Sequence, residues 1–367
     1  MEDRIFVKTG ENKGYEIILK KDFSLLPSML KELGFHKRRL CIISDDNVYA
    51  LHGETLKDAL KDVSGDIYSV IFKAGEDHKN LDTVREIYKA LIGYKLDRKD
   101  LILALGGGVV GDMAGFASAT YLRGIDFVQI PTTLLSCTDS SIGGKTGVDF
   151  DEFKNMVGAF HMPRLVYMNL STLSTLDDRQ FSSGMGEIIK HGLIKDADYY
   201  EWIINHFSEI GDREPEIISE MILRSLKIKR DVVEKDPYES GERALLNFGH
   251  TIGHAIEKYM NFSLLHGECV ALGIIAAACI SCKRGMLSTE ELYEIRDMFV
   301  PFGLPITLPD DSDPESILQL TRSDKKMDNN RIRFILLKKM GKAYIDTTVG
   351  DEEILTGIRE LIITDED

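Results

Sequence analysis

The first half of the sequence alternates short apolar runs with amphipathic segments, and this alternation constrains the fold more than any other feature. The strand-like runs, rich in Ile, Val and Leu, are residues 14–20, 39–44, 67–73, 100–105 and 126–130. The helical patterns between them are residues 25–33, 54–60 and 81–94. Because parallel strands must be joined by a crossover, which is usually a helix, the alternation predicts a parallel sheet with helices on both faces.

The pattern changes near residue 175, where long helical periodicities replace the alternation. The helices predicted there are residues 181–192, 199–205, 217–234, 245–259, 267–284 and 289–299. A late β-hairpin is predicted from residues 331–337 and 343–348, which Lys-Lys-Met-Gly-Lys joins. The sequence therefore predicts an α/β N-terminal domain with a Rossmann-like parallel sheet over residues 1–174 and a mainly α-helical C-terminal domain over residues 175–367. Active sites favour clefts between such domains.

Length and charge limit the classes of function. A chain of 367 residues is long enough for two domains. A net charge of −15 argues against broad binding to nucleic acid or an anionic membrane, although it allows a local basic pocket. Five irregularly placed cysteines do not indicate a disulfide framework.

Cys279 and Cys282 form a Cys-x-x-Cys at the end of an apolar run, residues 270–280. Small core residues on a helix explain this pair better than a redox motif does, and the run is too short to span a bilayer. The first residues are acidic and have no apolar stretch typical of a secretory signal, so we expect a cytoplasmic protein.

A glycine-rich turn follows the strand predicted at residues 100–105. Gly106, Gly107 and Gly108 lead into a helical pattern, residues 113–120. Strand, glycine turn and helix N-terminus together favour a pyrophosphate, because exposed N–H groups and the helix dipole attract anions. The alternative is a tight turn needed only for packing, and the Gly-x-Gly-x-x-Gly fingerprint of dinucleotide sites is absent. Polar residues after neighbouring strands, such as Glu76 and Lys79, could reach the same nucleotide.

Histidines cluster in the second half. Asn247, His250 and His254 fall at i, i+3 and i+7, which predicts one face of one helix, and His266 follows shortly. Imidazoles together with a carboxylate suit zinc, cobalt or iron. The alternative is a set of capping and core histidines. The His-Glu-x-x-His motif of metalloproteases is absent, so metal-activated peptide hydrolysis is not indicated.

Lysines recur in loops rich in glycine and hydroxyl groups. Lys145 and Lys154 lie in the segment 139–155, and Lys190 shares a predicted helix face with Glu187. A single lysine would normally be a solvated surface residue. Several of them at strand ends, where ligands bind in α/β sheets, favour an anionic substrate.

Motifs over nearly the whole chain, taken in order, resemble 3-dehydroquinate synthase of the sugar phosphate cyclase superfamily. They are Gly-Gly-Gly-Val-Val-Gly-Asp, Tyr-Leu-Arg-Gly-Ile, Pro-Thr-Thr-Leu-Leu, Asp-Ser-Ser-Ile-Gly-Gly-Lys-Thr-Gly, Lys-Asn, Gly-Glu-Ile-Ile-Lys and Leu-Asn-Phe-Gly-His-Thr-Ile-Gly-His-Ala-Ile-Glu. The combination is highly specific, whereas the glycine turn alone is not.

The resemblance implies a phosphate-eliminating lyase of the shikimate pathway, which leads to aromatic amino acids. It implies conversion of 3-deoxy-D-arabino-heptulosonate 7-phosphate to 3-dehydroquinate and phosphate by transient oxidation with NAD, phosphate elimination, reduction and aldol cyclisation. NAD and Zn²⁺ or Co²⁺ are the implied cofactors. The implied partners are a small sugar phosphate and a second copy of the chain in a homodimer, with no nucleic acid and no membrane.

The resemblance also implies roles for individual residues, with NAD in residues 1–174 and metal and substrate mainly in residues 175–367. The implied metal ligands are Glu187, His250 and His266. The implied NAD site is Asp45, Glu76, Lys79, Gly106, Gly107, Gly108, Val109, Asp112, Thr132, Thr133, Lys145, Lys154, Thr172 and Thr175. The implied substrate and catalytic residues are Asp139, Lys145, Asn155, Lys190, Lys229, Arg243, Asn247 and His254, with Arg123 reaching across a dimer interface and either Lys325 or Lys326 contacting substrate. His254 is the candidate for proton transfer.

Three alternatives stay open at this stage. A related cyclase could use the same metal and NAD with another sugar phosphate. A metal-dependent polyol or alcohol dehydrogenase would have a similar two-domain layout but would release NADH. A non-catalytic nucleotide-binding or scaffold protein would bind no metal.

Overall fold

A computed structural model gives the structure of the chain and describes residues 3–10, 13–151, 153–239, 241–322, 327–328 and 331–362. The chain divides into two compact units, Met1–Leu176 and Asp177–Asp367. The first unit is built on a mainly parallel sheet and the second mainly on helices. This confirms the predicted fold class.

The first unit contains one seven-stranded sheet with the order β1-β2-β9-β6-β5-β3-β4 and a separate hairpin of β7 and β8. Its strands are β1 Arg4–Gly10, β2 Lys13–Lys20, β3 Leu40–Asp45, β4 Ile67–Phe72, β5 Leu101–Gly106, β6 Asp126–Pro131, β7 Lys145–Phe150, β8 Phe153–Phe160 and β9 Leu165–Asn169. Its helices are α1 Leu26–Glu32, α2 Asp46–Val48, α3 Glu54–Ala59, α4 Leu81–Gly93 and α5 Gly108–Thr120. Only β1 runs antiparallel within the large sheet.

The central strands of this sheet are buried on both faces, and their side chains alternate between two cores. Leu40 and Ile42 of β3 pack with α1 and α3, whereas Cys41 and Ile43 pack with α4 and α5. The period of two in a strand produces this division, and it explains why the sequence of β3 is a continuous apolar run.

The sheet has a topological switch point between β3 and β5. From β3 the chain continues to β4 on one side, whereas β5 and β6 lie on the other side. The helices that follow β3 and β5 consequently pack on opposite faces. Ligands of open α/β sheets bind outside the carboxyl ends of the strands at such a point, so the fold itself selects the region after Asp45 and Gly106.

The second unit is a group of helices with two short hairpins. Its helices are α6 Asp178–Lys195, α7 Ala197–Asn205, α8 Phe207–Gly211, α9 Pro215–Lys235, α10 His250–Tyr259, α11 His266–Lys283, α12 Thr289–Asp297, α13 Pro314–Thr321 and α14 Asp351–Arg359. Its strands are β10 Met327–Asp328, β11 Arg331–Ile332, β12 Phe334–Lys339 and β13 Lys342–Asp346. β12 and β13 form the predicted late hairpin, although β12 begins three residues later than expected.

Helix α11 lies at the centre of this unit. Within the described ranges it alone is long and apolar enough to cross a membrane, yet 83% of that stretch is buried inside the protein, which is typical of a core helix. Its neighbour α10 packs against it at unusually short range. A Cβ added at Gly253 would lie 2.8 Å from the Cys269 carbonyl oxygen, and one added at Gly273 would collide with the Gly249 carbonyl oxygen.

The close contact between α10 and α11 also explains one wrong prediction. Residues 245–259 do not form a single helix, because Gly249 adopts a left-handed conformation with φ of +80° and α10 begins only at His250. The backbone of Gly249 lies against Val270 and Ile274 of α11, where no side chain would fit. Asn247 ends a preceding 3₁₀ turn, so it does not share a helix face with His250 and His254.

Replacing Gly273 with Ala should separate α10 from α11, since its new methyl group has no room. Overpacking of this kind costs about 1–3 kcal/mol, and we expect this loss in the free energy of unfolding measured with urea. Gly211→Ala is the matched control, because a Cβ at Gly211 meets nothing within 4 Å. Equal stability of the two variants would contradict the packing described here.

Candidate functional site

In the second unit, one buried carboxylate faces two imidazoles. Glu187 on α6 is fully buried, and its Oε1 lies 3.5 Å from Nε2 of His250 and 3.4 Å from Nε2 of His266. Ligand atoms of the three residues all lie within 4.8 Å of one another. Two imidazole nitrogens and a carboxylate oxygen at such spacing fit a Zn²⁺ or Co²⁺ ion that keeps an open position for another ligand.

Glycines next to Glu187 and His266 in the sequence allow these two side chains to come close together. Gly186, beside Glu187, packs so closely that a Cβ would lie 2.6 Å from the Gly267 carbonyl oxygen, and a Cβ at Gly267 would collide with the backbone of Ser183. The Ser183 hydroxyl also accepts a hydrogen bond from the Gly267 N–H at 3.0 Å. Helix α6 therefore meets the first turn of α11 at backbone distance, which places His266 beside Glu187.

Hydrogen bonds orient the two imidazoles. His250 Nδ1 lies 3.1 Å from the Phe248 carbonyl oxygen, and an N–H there leaves the Nε2 lone pair directed at Glu187. His266 is the first residue of α11, and Glu268 caps that end by accepting from the Leu265 N–H at 2.6 Å. The Arg179 guanidinium holds both oxygens of Glu268, at 2.7 and 2.8 Å. The start of α11 is thus fixed by a bidentate ion pair.

Two further predicted residues lie in the same cluster. Lys190 forms an ion pair with Glu187 one helical turn away and is only 1% exposed. The ring of His254 lies 5.2 Å from that of His250 and 5.9 Å from that of His266. His254 also belongs to a second possible ligand group, with Glu257 and His266. A cation, a carboxylate and three imidazoles therefore share one small volume.

The remaining predicted residues of this unit lie on α9 and in the segment that joins α9 to α10. Lys229 is buried on α9. Arg243 lies in the 3₁₀ turn that precedes α10, and its Nη1 donates to the Pro237 carbonyl oxygen at 2.5 Å. The Asn247 amide donates to Glu239 at 2.6 Å. Lys325 and Lys326, one of which is expected to contact substrate, lie outside the described residues.

In the first unit, side chains from neighbouring segments pack closely against the half-buried glycine turn. Gly107 precedes α5 as its N-cap in an extended conformation, and the Thr132 N–H donates to the Gly106 carbonyl oxygen at 3.0 Å. A Cβ at Gly107 would lie 3.1 Å from the Thr133 side chain, and one at Gly108 would lie 3.2 Å from Ser140. Val109 follows in the first turn of α5.

The Thr132 hydroxyl beside this turn is buried and has no hydrogen-bond partner among the described residues. A buried hydroxyl without a partner is unfavourable, so it indicates a polar ligand. The N-terminus of a thirteen-residue helix, a turn without side chains and a free hydroxyl fit a nucleotide phosphate.

A buried lysine contacts α5, the helix that follows the glycine turn. Lys79 contacts Asp112 of α5 at 2.7 Å and donates to the Asn155 side chain at 2.6 Å. Burial alone would lower the pKa of Lys79, but Asp112 and Glu76 outweigh it and raise that pKa above its usual range. The ammonium group therefore stays charged and links the Asp112 carboxylate to the Asn155 amide.

Asp149 belongs to this cluster and was missed at the sequence level. It accepts from the Asn155 N–H at 2.7 Å, and its own N–H donates to the Lys79 carbonyl oxygen at 2.8 Å. Asn155 is thereby held with φ of +50°. Asp149 and Asn155 come together because β7 and β8 form a hairpin, which the sequence analysis did not predict. Arg179 and Ser183 were missed as well. Arg179 binds the capping residue Glu268 and Ser183 packs against Gly267, and neither contact has a recognisable sequence motif.

The other predicted residues of this unit lie around the same sheet or on exposed loops. Asp45 caps α2 at the end of β3, Thr172 and Thr175 lie in the 3₁₀ turn after β9, and Glu76 is 3.8 Å from Lys154. Three of the predicted substrate residues also belong to this unit. Asp139 lies in the π-helical turn Ser136–Ser140, and Lys145 lies at the start of β7. Arg123 lies on an exposed turn beside an open surface depression.

Comparison with known proteins decides the family. Residues 69–183 match the family model of 3-dehydroquinate synthase N-terminal, and residues 184–327 match that of 3-dehydroquinate synthase C-terminal. The 3-dehydroquinate synthase of Acetivibrio thermocellus is 42% identical over 345 residues, which cover 94% of this chain and 95% of the relative. The chain belongs to the 3-dehydroquinate synthase family.

Solved structures with a similar fold include two synthases that are 27% identical to this chain. The structure of 2-epi-5-epi-valiolone synthase from Streptomyces hygroscopicus with NAD⁺ and Zn²⁺ bound has a TM-score of 0.88, with 27% identity over 97% of this chain and 98% of that one. A 2-deoxy-scyllo-inosose synthase complexed with carbaglucose-6-phosphate, NAD⁺ and Co²⁺ also has a TM-score of 0.88, with 27% identity over 98% and 100%.

Replacing Lys79 with Met should destabilise the protein by about 3 kcal/mol, because it leaves the Asp112 carboxylate beside a buried apolar group. The double variant Lys79→Met with Asp112→Asn should recover part of this loss in urea unfolding. Lys89→Met is the control: Lys89 pairs with Glu86 on the surface, and exposed pairs contribute at most about 1 kcal/mol. Additive losses in the double variant would contradict a coupled pair.

Proposed function

We propose that this member of the family is a 3-dehydroquinate synthase, which converts 3-deoxy-D-arabino-heptulosonate 7-phosphate to 3-dehydroquinate and phosphate. The observation that supports this most is the buried Glu187, faced by His250 and His266 and paired with Lys190, within a chain that is 42% identical to a 3-dehydroquinate synthase over nearly its full length. The reaction belongs to the shikimate pathway.

The competing cyclase activities are less well supported. The relatives of matching function are 42% identical, whereas the valiolone and inosose synthases that share the fold are 27% identical. A dehydrogenase is also disfavoured, because a dianionic phosphate and a carboxylate need the many lysines and arginines that a small neutral alcohol does not. A scaffold would not need a buried carboxylate facing two imidazoles.

Glu187, His250 and His266 are proposed as the ligands of Zn²⁺ or Co²⁺. The glycine turn is proposed as part of the NAD-binding site. When bound, the metal supplies Lewis acidity towards substrate hydroxyls, and NAD supplies an acceptor that takes up a hydride and returns it in the same turnover. The protein's own residues bind, orient and neutralise charge. His254, beside the metal ligands, is proposed to move protons.

NAD is proposed to bind along the carboxyl edge of the sheet. Thr132 offers its unpartnered hydroxyl, and the N–H groups at the start of α5 offer donors to the pyrophosphate. The other residues proposed for this site are Asp45, Glu76, Lys79, Val109, Asp112, Thr133, Lys145, Lys154, Thr172 and Thr175. Lys79 also orients Asn155, so it would position an amide for the substrate.

The anionic sugar phosphate is proposed to bind to a local group of positively charged side chains, although the net charge of the whole protein is −15. The buried Lys190, Lys229 and Arg243 have little freedom to reorient, so their charges are preorganised for anionic groups. The full proposed set is Asp139, Lys145, Asn155, Lys190, Lys229, Arg243, Asn247 and His254, with Arg123 acting on the site of a second copy.

A cytoplasmic homodimer is the proposed working form. The exposed Arg123 lies on a turn after α5, free to reach a second copy of the chain. All five cysteines are reduced, which suits a reducing compartment.

Product analysis tests the proposed reaction directly. With the heptulosonate phosphate, Co²⁺ and NAD far below the substrate concentration, phosphate and 3-dehydroquinate should form in equal amounts, since each hydride returns to the substrate. No absorbance from NADH should accumulate at 340 nm, a wavelength at which NAD⁺ is transparent. NADH formed in step with substrate loss would instead identify a dehydrogenase, and turnover of other sugar phosphates alone would identify another cyclase.

Replacing His250 with Ala should weaken Co²⁺ binding by at least about 100-fold, because it removes one of three protein ligands. His206→Ala is the control, since His206 stacks on Trp202, donates from Nδ1 to the Trp202 carbonyl oxygen at 2.8 Å, and belongs to none of the possible ligand groups among the described residues. Binding is measured by titration of the metal-free protein, with urea unfolding as a check on the fold. Unchanged affinity in His250→Ala would exclude it as a ligand.

A further inference from the structure

Helix α6 carries a second buried histidine one turn beyond Glu187, to which no role has been given. Glu187 and His191 are separated by four residues, so they share a face of the helix. His191 is fully buried, and one of its ring nitrogens lies within 4.8 Å of a Glu187 carboxylate oxygen. The ring is therefore placed where its position affects that carboxylate.

His191 is bound to the neighbouring helix α9. Its Nδ1 lies 2.6 Å from the Ser225 hydroxyl oxygen, and Ser225 is fully buried as well. Ser225 in turn precedes Lys229 by four residues and shares its helix face. A single hydrogen bond thus joins α6 one turn after Glu187 to α9 one turn before Lys229.

A second buried hydrogen bond reaches α9 one turn before Ser225. The Tyr199 hydroxyl donates to the Met221 carbonyl oxygen at 2.7 Å, and burial raises the pKa of Tyr199 well above its usual range, so this hydroxyl keeps its proton. This bond ties α7 to the turn of α9 that precedes Ser225, so the segment of α9 around Ser225 is held from two sides.

We propose that His191, Ser225 and Tyr199 form a positioning device that fixes α6 against α9, and so fixes Glu187 relative to Lys229. This inference rests on the metal role of Glu187 and the substrate role of Lys229 proposed above. His191 acts through the helix that bears the ligand and does not itself bind the metal. Buried hydrogen-bond partners orient metal ligands in other proteins, where their loss costs about 10–100-fold in metal affinity.

The test is Ser225→Ala in the full-length protein, compared with Ser281→Ala. Ser281 is also a fully buried serine on a helix of the second unit, and its hydroxyl donates to the Ala277 carbonyl oxygen at 2.9 Å. We expect Ser225→Ala to weaken Co²⁺ binding by about 10–100-fold, to shift the visible absorption bands of the bound Co²⁺, and to raise KM for the sugar phosphate. Ser281→Ala should lose similar stability without its metal but keep the Co²⁺ affinity and spectrum.

A second pair of variants separates positioning from simple packing. His191→Asn places an amide near the position of Nδ1 and should restore much of the Co²⁺ affinity that His191→Leu loses. Equal Co²⁺ affinity and spectrum in wild type and Ser225→Ala would overturn the inference and leave the metal site intact. A wild-type protein that binds no Co²⁺ would overturn the proposed metal site and this inference with it.

Discussion

The second unit depends on the burial of one negative charge. A carboxylate that is fully removed from water is very costly unless cations and donors surround it, and Glu187 is fully buried. The Lys190 ammonium contacts it, and the imidazoles of His250 and His266 face it at 3.4–3.5 Å. A divalent cation held by the same groups would compensate the charge further.

Glycines supply the geometry that this charge requires. Gly186 and Gly267 lie directly beside Glu187 and His266 in the sequence, and the contact between them brings two helix backbones together. Gly249 does the same beside His250, where its left-handed conformation breaks the helix so that the imidazole begins a new one. In each case a residue without a side chain stands next to a proposed metal ligand. Larger residues at these positions would hold Glu187, His250 and His266 apart.

The sequence predicted the fold class correctly, since the fold class depends on local patterns. The apolar runs of β3 and β5 and the triple glycine after β5 are visible without any tertiary information. The break at Gly249 was not, because it results from contact with Ile274, which lies 25 residues further along the chain. The role of Asp149 was missed for the same reason, as it depends on pairing between β7 and β8. Interactions between distant segments therefore account for what sequence reasoning could not find.

The central claim is that Glu187, His250 and His266 together hold the catalytic metal. Anomalous X-ray scattering at the zinc absorption edge, measured on crystals of the zinc-loaded protein, tests this most directly because it locates the metal independently of activity. The account predicts one strong anomalous peak within bonding distance of a Glu187 carboxylate oxygen and of Nε2 of both histidines. A peak bound by other residues, with these three side chains free of metal, would contradict it.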